Sequence, residues 1–313
     1  MATQQDTKNR ISSVRNIQKI TRAMEMVAAA RLRRAEQRIE AMRPYARAIR
    51  RMTRRTVEAV EKIPNLPLLE SHETEQTVGI LLVTGDRGLA GAFNSQILRA
   101  GTRRARELEA EGKQVVWFAS GRRAVSSLDF RGLETQGAWQ GFTDRPAFSD
   151  ARDIAGGVAT QFIDAKVDRV EMIYNGYVSP LTQEVTTDVL LPLAAVDQLT
   201  EESSEQDDEP PESEQRESGH SPARGAGKTL WIYEPEPEEI LARLVPDYIE
   251  ISVYRALLES TASEHGARMT AMRSAQENAG EIISDLTLEM NRQRQAEITQ
   301  EIMEVVAGAE GLS

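Results

Sequence analysis

The chain of 313 residues contains no cysteine. That excludes disulfides, thiolate metal sites and thiol redox switching within it. Aromatic residues amount to only 5%, which fits a chain dominated by helix pairing better than a large globule. No apolar run reaches the roughly eighteen residues of a membrane-spanning helix. The opening MATQQDTKNR has no apolar centre and does not read as a secretory signal, so the expectation is a protein that stays inside the cell. Glycine and proline are scarce at the two ends. Residues 6–61 hold no glycine and one proline, Pro44; between Asp247 and Gly308 lie only Gly266 and Gly280, and no proline.

What fills those ends is helical periodicity. In the C-terminal stretch, residues 238–313, apolar or small residues recur in steps of three and four: Ile251, Tyr254, Leu258 and Thr261, then Met272, Ala275, Ala279, Ile282, Leu286 and Met290. That is a coiled-coil seam. About 60 residues of helix extend roughly 90 Å, so such a helix needs a partner along its length. The partner is the N-terminal stretch, residues 1–61, whose stripe reads Ile17, Ile20, Met24, Ala28, Leu32, Ala35, Ile39, Met42, Ala46 and Ile49. From Ile17 to Ala28 the steps follow an eleven-residue repeat, and from Leu32 a seven-residue repeat. The first removes left-handed supercoil and the second adds it. The expectation is a nearly straight pair around Met24, a normal coiled coil beyond, and a bend at Pro44. With a globular segment between them, the two helices close most simply as an antiparallel pair.

Charge is segregated. Residues 1–60 carry fifteen Lys/Arg against five Asp/Glu, whereas residues 197–218 carry ten Asp/Glu against one Arg, within a chain of net charge −11. The basic helix suits an acidic protein surface; the acidic run reads as a solvated, disordered insertion.

Between the long helices, residues 62–77 read as a connector. VGILLVT (78–84) and QVVWFAS (114–120) are buried strands. Helices are expected over 95–111, 121–129 and 149–165, the last with Ser149 as N-cap and Asp150 and Asp153 in its first turn. Residues 168–178 and 182–193 alternate as a hairpin, and 229–233 form a last short strand. This is a Rossmann-like α/β domain over 78–235 with an acidic insertion at 197–228. The fold class is therefore α/β: a long antiparallel coiled coil of N- and C-terminal helices plus that central domain.

GDRGLAGAFN places Gly85, Gly88 and Gly91 after a strand and before a helix, where amides would face an anion. The spacing is not G-x-G-x-x-G, and Asp86 would repel phosphate, so a structural turn is the better reading. Arg224-Gly-Ala-Gly-Lys-Thr229 imitates the end of a phosphate-binding loop, but Pro222 replaces its first glycine and the segment precedes a strand. His72, His220 and His265 have no partners at metal spacing, and no catalytic constellation emerges. The basic face of the first helix, from Arg31 to Arg55, lacks the interleaved readers of a nucleic-acid site.

Five motifs in order resemble the γ subunit of F-type ATP synthases across nearly the whole chain except about 197–228. They are Lys19-Ile-Thr-Arg-Ala-Met-Glu-Met-Val-Ala-Ala29, the Gly85–Gly91 turn, Tyr233-Glu-Pro-Glu-Pro237, Ser263-Glu-His-Gly-Ala-Arg-Met-Thr-Ala-Met272 and Asn291-Arg-Gln-Arg-Gln-Ala-Glu-Ile-Thr-Gln-Glu301. Ala90 stands where cysteine or other small residues are common in the family; a mild departure is His265-Gly266, where glutamine followed by alanine or serine is common. The resemblance implies a central rotor shaft that couples proton-driven c-ring rotation to conformational cycling of the beta subunits. Its partners would be the alpha and beta subunits (an alpha3beta3 hexamer), the epsilon subunit and the c-ring, with no nucleic acid. It implies a non-catalytic subunit with no cofactor and no metal, peripheral on the cytoplasmic face of the bacterial plasma membrane and held there only through the complex. Residue by residue, Met24, Arg294, Gln295 and Thr299 match positions that contact the beta subunit. Plainer readings are core filling for Met24 and a solvated helix residue for Arg294. The competing classes are a basic coiled-coil scaffold or tethering protein and a nucleotide-dependent enzyme.

Overall fold

The computed structural model describes residues 4–59, 66–72, 74–193 and 236–310. Two helices dominate it: α1 (Gln4–Ala59) and, at the other end, a helix of 74 residues (Pro237–Glu310). Between them lie β1 (Thr77–Val83), α2 (Phe93–Ala110), β2 (Gln114–Ser120), α3 (Arg122–Phe130), β3 (Thr135–Trp139), α4 (Phe148–Ile163), β4 (Arg169–Tyr177) and β5 (Gln183–Leu191). The long C-terminal helix is thus α5.

The sheet order is β3-β2-β1-β4-β5, parallel except for the antiparallel β4–β5 pair. Because side chains alternate along a strand, β1 feeds two cores. Val78, Ile80 and Leu82 meet Phe93, Ile97 and Leu108 of α2 and Ala124 and Leu128 of α3. Leu81 and Val83 meet Ile154, Val158 and Phe162 of α4 and Leu241, Val245 and Ile249 of α5. The first turns of α5 are therefore a layer of the α/β foot. Farther on, residues 260–266 are buried throughout, because α5 runs between the foot and α1.

The pairing of α1 with α5 is antiparallel. Going up α1, Ile49 packs with Leu244 and Ile251, Leu32 and Ala35 with Ala262, Glu25 meets Arg273, Gln18 meets Gln276, and Thr7 meets Gln293. Both helices run unbroken through a proline, Pro44 in α1 and Pro246 in α5.

The seam differs from the one expected. One continuous stripe of buried or half-buried positions runs along α1 through Thr7, Ile11, Val14, Gln18, Thr21, Glu25, Ala28, Leu32, Ala35, Ile39, Met42, Ala46, Ile49, Thr53 and Thr56, flanked by half-buried Met24, Ala29, Arg31, Glu36, Arg38 and Ala48. That is an uninterrupted alternation of four and three, so the eleven-residue reading around Met24 is corrected. Ile17 and Ile20 are 53% and 58% exposed while Thr21 is buried. The reason is continuity: once Leu32 and Ala35 set the seven-residue phase, the upper helix keeps it, and the apolar residues one position away fall outside. On α5 the same correction moves the seam from Ile282, which is exposed, to Ile283.

Two smaller corrections concern the foot. β3 was not expected between the second and third short helices. The N-cap of α4 is Ala147, not Ser149; its amide donates to the Asp150 carboxylate at 2.7 Å. The last short strand expected at 229–233 and the acidic insertion at 197–228 lie outside the described residues.

Candidate functional site

The shaft meets the foot in a polar joint assembled from four segments: the glycine turn after β1, the start of α3, the loop between β3 and α4, and α5. The turn is closed by its own side chains. The Gly85 amide donates to Asn94 Oδ1 at 2.9 Å. The Asp86 carboxylate accepts from the amides of Arg122 (2.9 Å), Gly141 (2.9 Å) and Thr143 (3.1 Å) and from the Thr143 hydroxyl at 3.1 Å. Burial works against this charge, but those donors outweigh it and hold the Asp86 carboxyl below its ordinary range. The anion at the N-terminus of α3 is thus an internal carboxylate, which ties three loops together at the top of the sheet. Gly91 adopts φ +55°, beside Ala267 and Ala271 of α5, a conformation that favours glycine.

From α5, Glu264, His265 and Arg268 enter the same joint, all buried. The Arg268 guanidinium donates to Glu264, to the Gly88 carbonyl at 3.2 Å and to His265 Nδ1 at 3.2 Å. Burial pushes the Glu264 carboxyl up, and Arg268 pulls it back. Burial, with Arg268 adding to it, lowers His265 from 6.5 to about 4, so the ring is neutral at neutral pH and its Nδ1 is the acceptor. Asp144 bridges outward, accepting from Arg31 of α1 at 2.8 Å with Arg87 at 3.4 Å. Thr261 donates to the Thr143 carbonyl and Ser263 to the Asn175 carbonyl, so α5 is bolted to the loop ends of the sheet.

A groove of about 630 Å³ opens at this joint. Ile20, Met24 and Val27 form an apolar wall on the outer face of α1, while Arg31, Arg87 and Arg123 supply a cationic rim. Met24 is half-buried there. Gly85 and Gly88 lie in the joint against Glu264 and Arg123, respectively.

Arg294, Gln295 and Thr299 are elsewhere. Opposite Thr7 the pairing reaches Gln293, and all residues from 294 to 307 are exposed. Residues 294–310 extend the helix by about 25 Å. The Thr299 hydroxyl donates to the Gln295 carbonyl at 2.8 Å within the helix. Since Met24 lies near the level of Arg273, it stands roughly 30 Å along the shaft from Arg294; the structure does not bring the two together. Reasoning from the sequence missed Asp86, Asp144, Glu264 and Arg268 as partners. The only available signal was that charged residues sit inside otherwise apolar or small-residue motifs.

These elements define a two-helix shaft rooted in an α/β foot, with one helix continuing past its partner. The ATP synthase family matches residues 3–312, and the chain belongs to it. It is 39% identical to the ATP synthase gamma chain of Rubrobacter xylanophilus over 100% of this chain and 99% of that one. It is 40% identical to that of Moorella thermoacetica over the full length of both. Among solved structures it resembles a chain of the Tetrahymena thermophila mitochondrial ATP synthase central stalk and c-ring (TM-score 0.57, 27% identity, 82% of this chain and 99% of that one). A chain of the Euglena gracilis mitochondrial enzyme shares the fold (TM-score 0.63, 16% identity, 99% and 94% covered).

Proposed function

We propose that the chain is the central rotor shaft of an F-type ATP synthase, coupling proton-driven rotation of a c-ring to conformational cycling of the catalytic beta subunits. The observation that carries this is the α5 helix: seated in the foot at its start, paired with α1 along its middle and projecting alone at its end. A paired-helix shaft resists twisting and bending, and a foot gives it a place to be driven. The projecting end exposes Ile298, Ile302, Met303, Val305 and Val306, an apolar tip suited to an enclosing sleeve of alpha and beta subunits.

In this reading residues 1–61 and 238–313 are the shaft and residues 78–235 the foot, which faces the epsilon subunit and the c-ring. The subunit is non-catalytic and peripheral, on the cytoplasmic face of a bacterial plasma membrane, and the Gly85–Gly91 turn is structural. Met24 contacts a beta subunit through the groove at the joint, whose apolar wall and arginine rim suit an acidic, partly apolar segment. Arg294, Gln295 and Thr299 contact beta subunits higher on the shaft. A rotor works only if its contacts differ between the states of its partner, and the unlike faces at the joint provide that.

The test is Met24→Lys in membrane vesicles. The complex is expected to assemble, with a lower ratio of proton pumping to ATP hydrolysis. An unchanged ratio would remove Met24 from the coupling path.

A further inference from the structure

On the outer face of the foot, between α2 and α3, a groove of about 500 Å³ is lined by Arg99, Arg103, Arg106 and Arg131, with Thr102 and Glu107. None of these residues lies in the shaft or in the joint. Steps of four and three put Arg99, Arg103 and Arg106 on one face of α2, over about 10 Å of helix. Arg131 reaches the same groove from the C-cap of α3. Its guanidinium donates to the Thr102 hydroxyl at 2.8 Å, and that hydroxyl donates to the Leu98 carbonyl at 2.7 Å. Thr102 therefore aims Arg131 at α2.

All four arginines are exposed. Arg99 bonds back to Ser95 of its own helix, and Arg106 has no hydrogen bond or ion pair among the described residues. The one carboxylate in the lining, Glu107, is shared between Arg104 at 3.2 Å and Arg103 at 3.9 Å. Most guanidinium hydrogens in the groove thus have no protein acceptor. Like charges at this helical spacing repel one another, here within a chain whose net charge is −11. Four guanidiniums around one cleft focus positive potential, and an anion of high charge density relieves their repulsion.

We infer that this groove binds a condensed phosphate chain, as carried by inorganic tripolyphosphate or by a nucleoside triphosphate. A guanidinium forks a phosphate through two parallel hydrogen bonds. A lone orthophosphate engages one or two forks. Linked phosphates bring several negative charges to neighbouring forks at once. An acidic peptide brings one charge per flexible side chain and loses more conformational freedom on binding. The volume lies within the range of small-molecule clefts, about 300–1,000 Å³. The glycine turn cannot take the same ligand, because Asp86 already accepts from the amide at the start of α3.

Binding here does not depend on the rotor role, and the full-length chain suffices to test it. The probes are orthophosphate, tripolyphosphate and ATP, titrated calorimetrically without divalent cations at about 0.1 M ionic strength, where charges beyond about 10 Å are screened. Tripolyphosphate is expected to bind at least about tenfold more tightly than orthophosphate. ATP matching or exceeding tripolyphosphate assigns the groove to a nucleotide; ATP much weaker assigns it to the inorganic chain. Arg103→Gln with Arg106→Gln should weaken tripolyphosphate at least about tenfold. Arg10→Gln with Arg15→Gln removes the same charge from exposed positions of α1 toward the far end of the shaft, and should leave its affinity within about twofold. Equal affinities for orthophosphate and tripolyphosphate would overturn the proposal. So would equal losses in the two variants, or a polyglutamate peptide that binds more tightly than tripolyphosphate, which would give the groove to an acidic partner.

Discussion

A Cβ placed on Gly85 would stand 2.7 Å from the carboxyl carbon of Glu264, so the turn after β1 and the middle of α5 touch without room for one methyl group. The contact joins the sheet to the shaft, and it is rigid because Arg268 holds the Glu264 carboxylate from the other side.

Gly85→Ala forces that buried ion pair to move. Overpacking of this kind costs about 1–3 kcal/mol. A lower midpoint in urea unfolding is expected, and a midpoint equal to the parent's would show that Glu264 yields freely.

His265 makes the joint sensitive to acid. Its folded pKa is lowered to about 4 from 6.5, so below about pH 6.5 the unfolded chain takes up the proton first. Stability from this group is full above that pH and is lost as pH falls toward 4, by about 3 kcal/mol in all. Glu264, whose pKa burial raises, acts in the opposite direction, gaining as pH falls. Both are separated by difference: His265→Gln should flatten the fall in melting temperature between about pH 6.5 and pH 4 relative to the parent. Parallel curves would show that the ring titrates as if exposed.

The seam of the shaft can be read by paired substitutions. Leu32 is buried and Ile20 is 58% exposed. Leu32→Ala is expected to cost about 3 kcal/mol, whereas Ile20→Ser should stay within about 0.5 kcal/mol. Thermal unfolding of the two variants checks the phase directly. A costly Ile20→Ser with a mild Leu32→Ala would restore the eleven-residue seam.

Much of the architecture was legible in the residues. The scarcity of glycine and proline in the two ends marks long helices, because few residues there lack an amide donor or loosen the backbone. VGILLVT and QVVWFAS read as buried strands because strands covered on both faces are apolar throughout. β3 escaped notice for the complementary reason: TQGAW has a central glycine and lies at the sheet edge with alternate residues exposed. The glycine turn was legible as a turn, but the charges that close it were not.

By itself the sequence determined that the ends are helices, that they are long enough to need one another, and which family motifs they carry. Only the tertiary structure decided which stripe of α1 faces α5. Ile20 and Thr21 sit on adjacent faces of one helix, and hydrophobicity favours Ile20. The phase is a property of the pair, set where Leu32, Ala35 and Ala262 interlock, and the rest of the helix inherits it. The same holds for Glu264 and Arg268: their four-residue spacing puts them on one face of a helix, and only packing between the foot and α1 buries the pair.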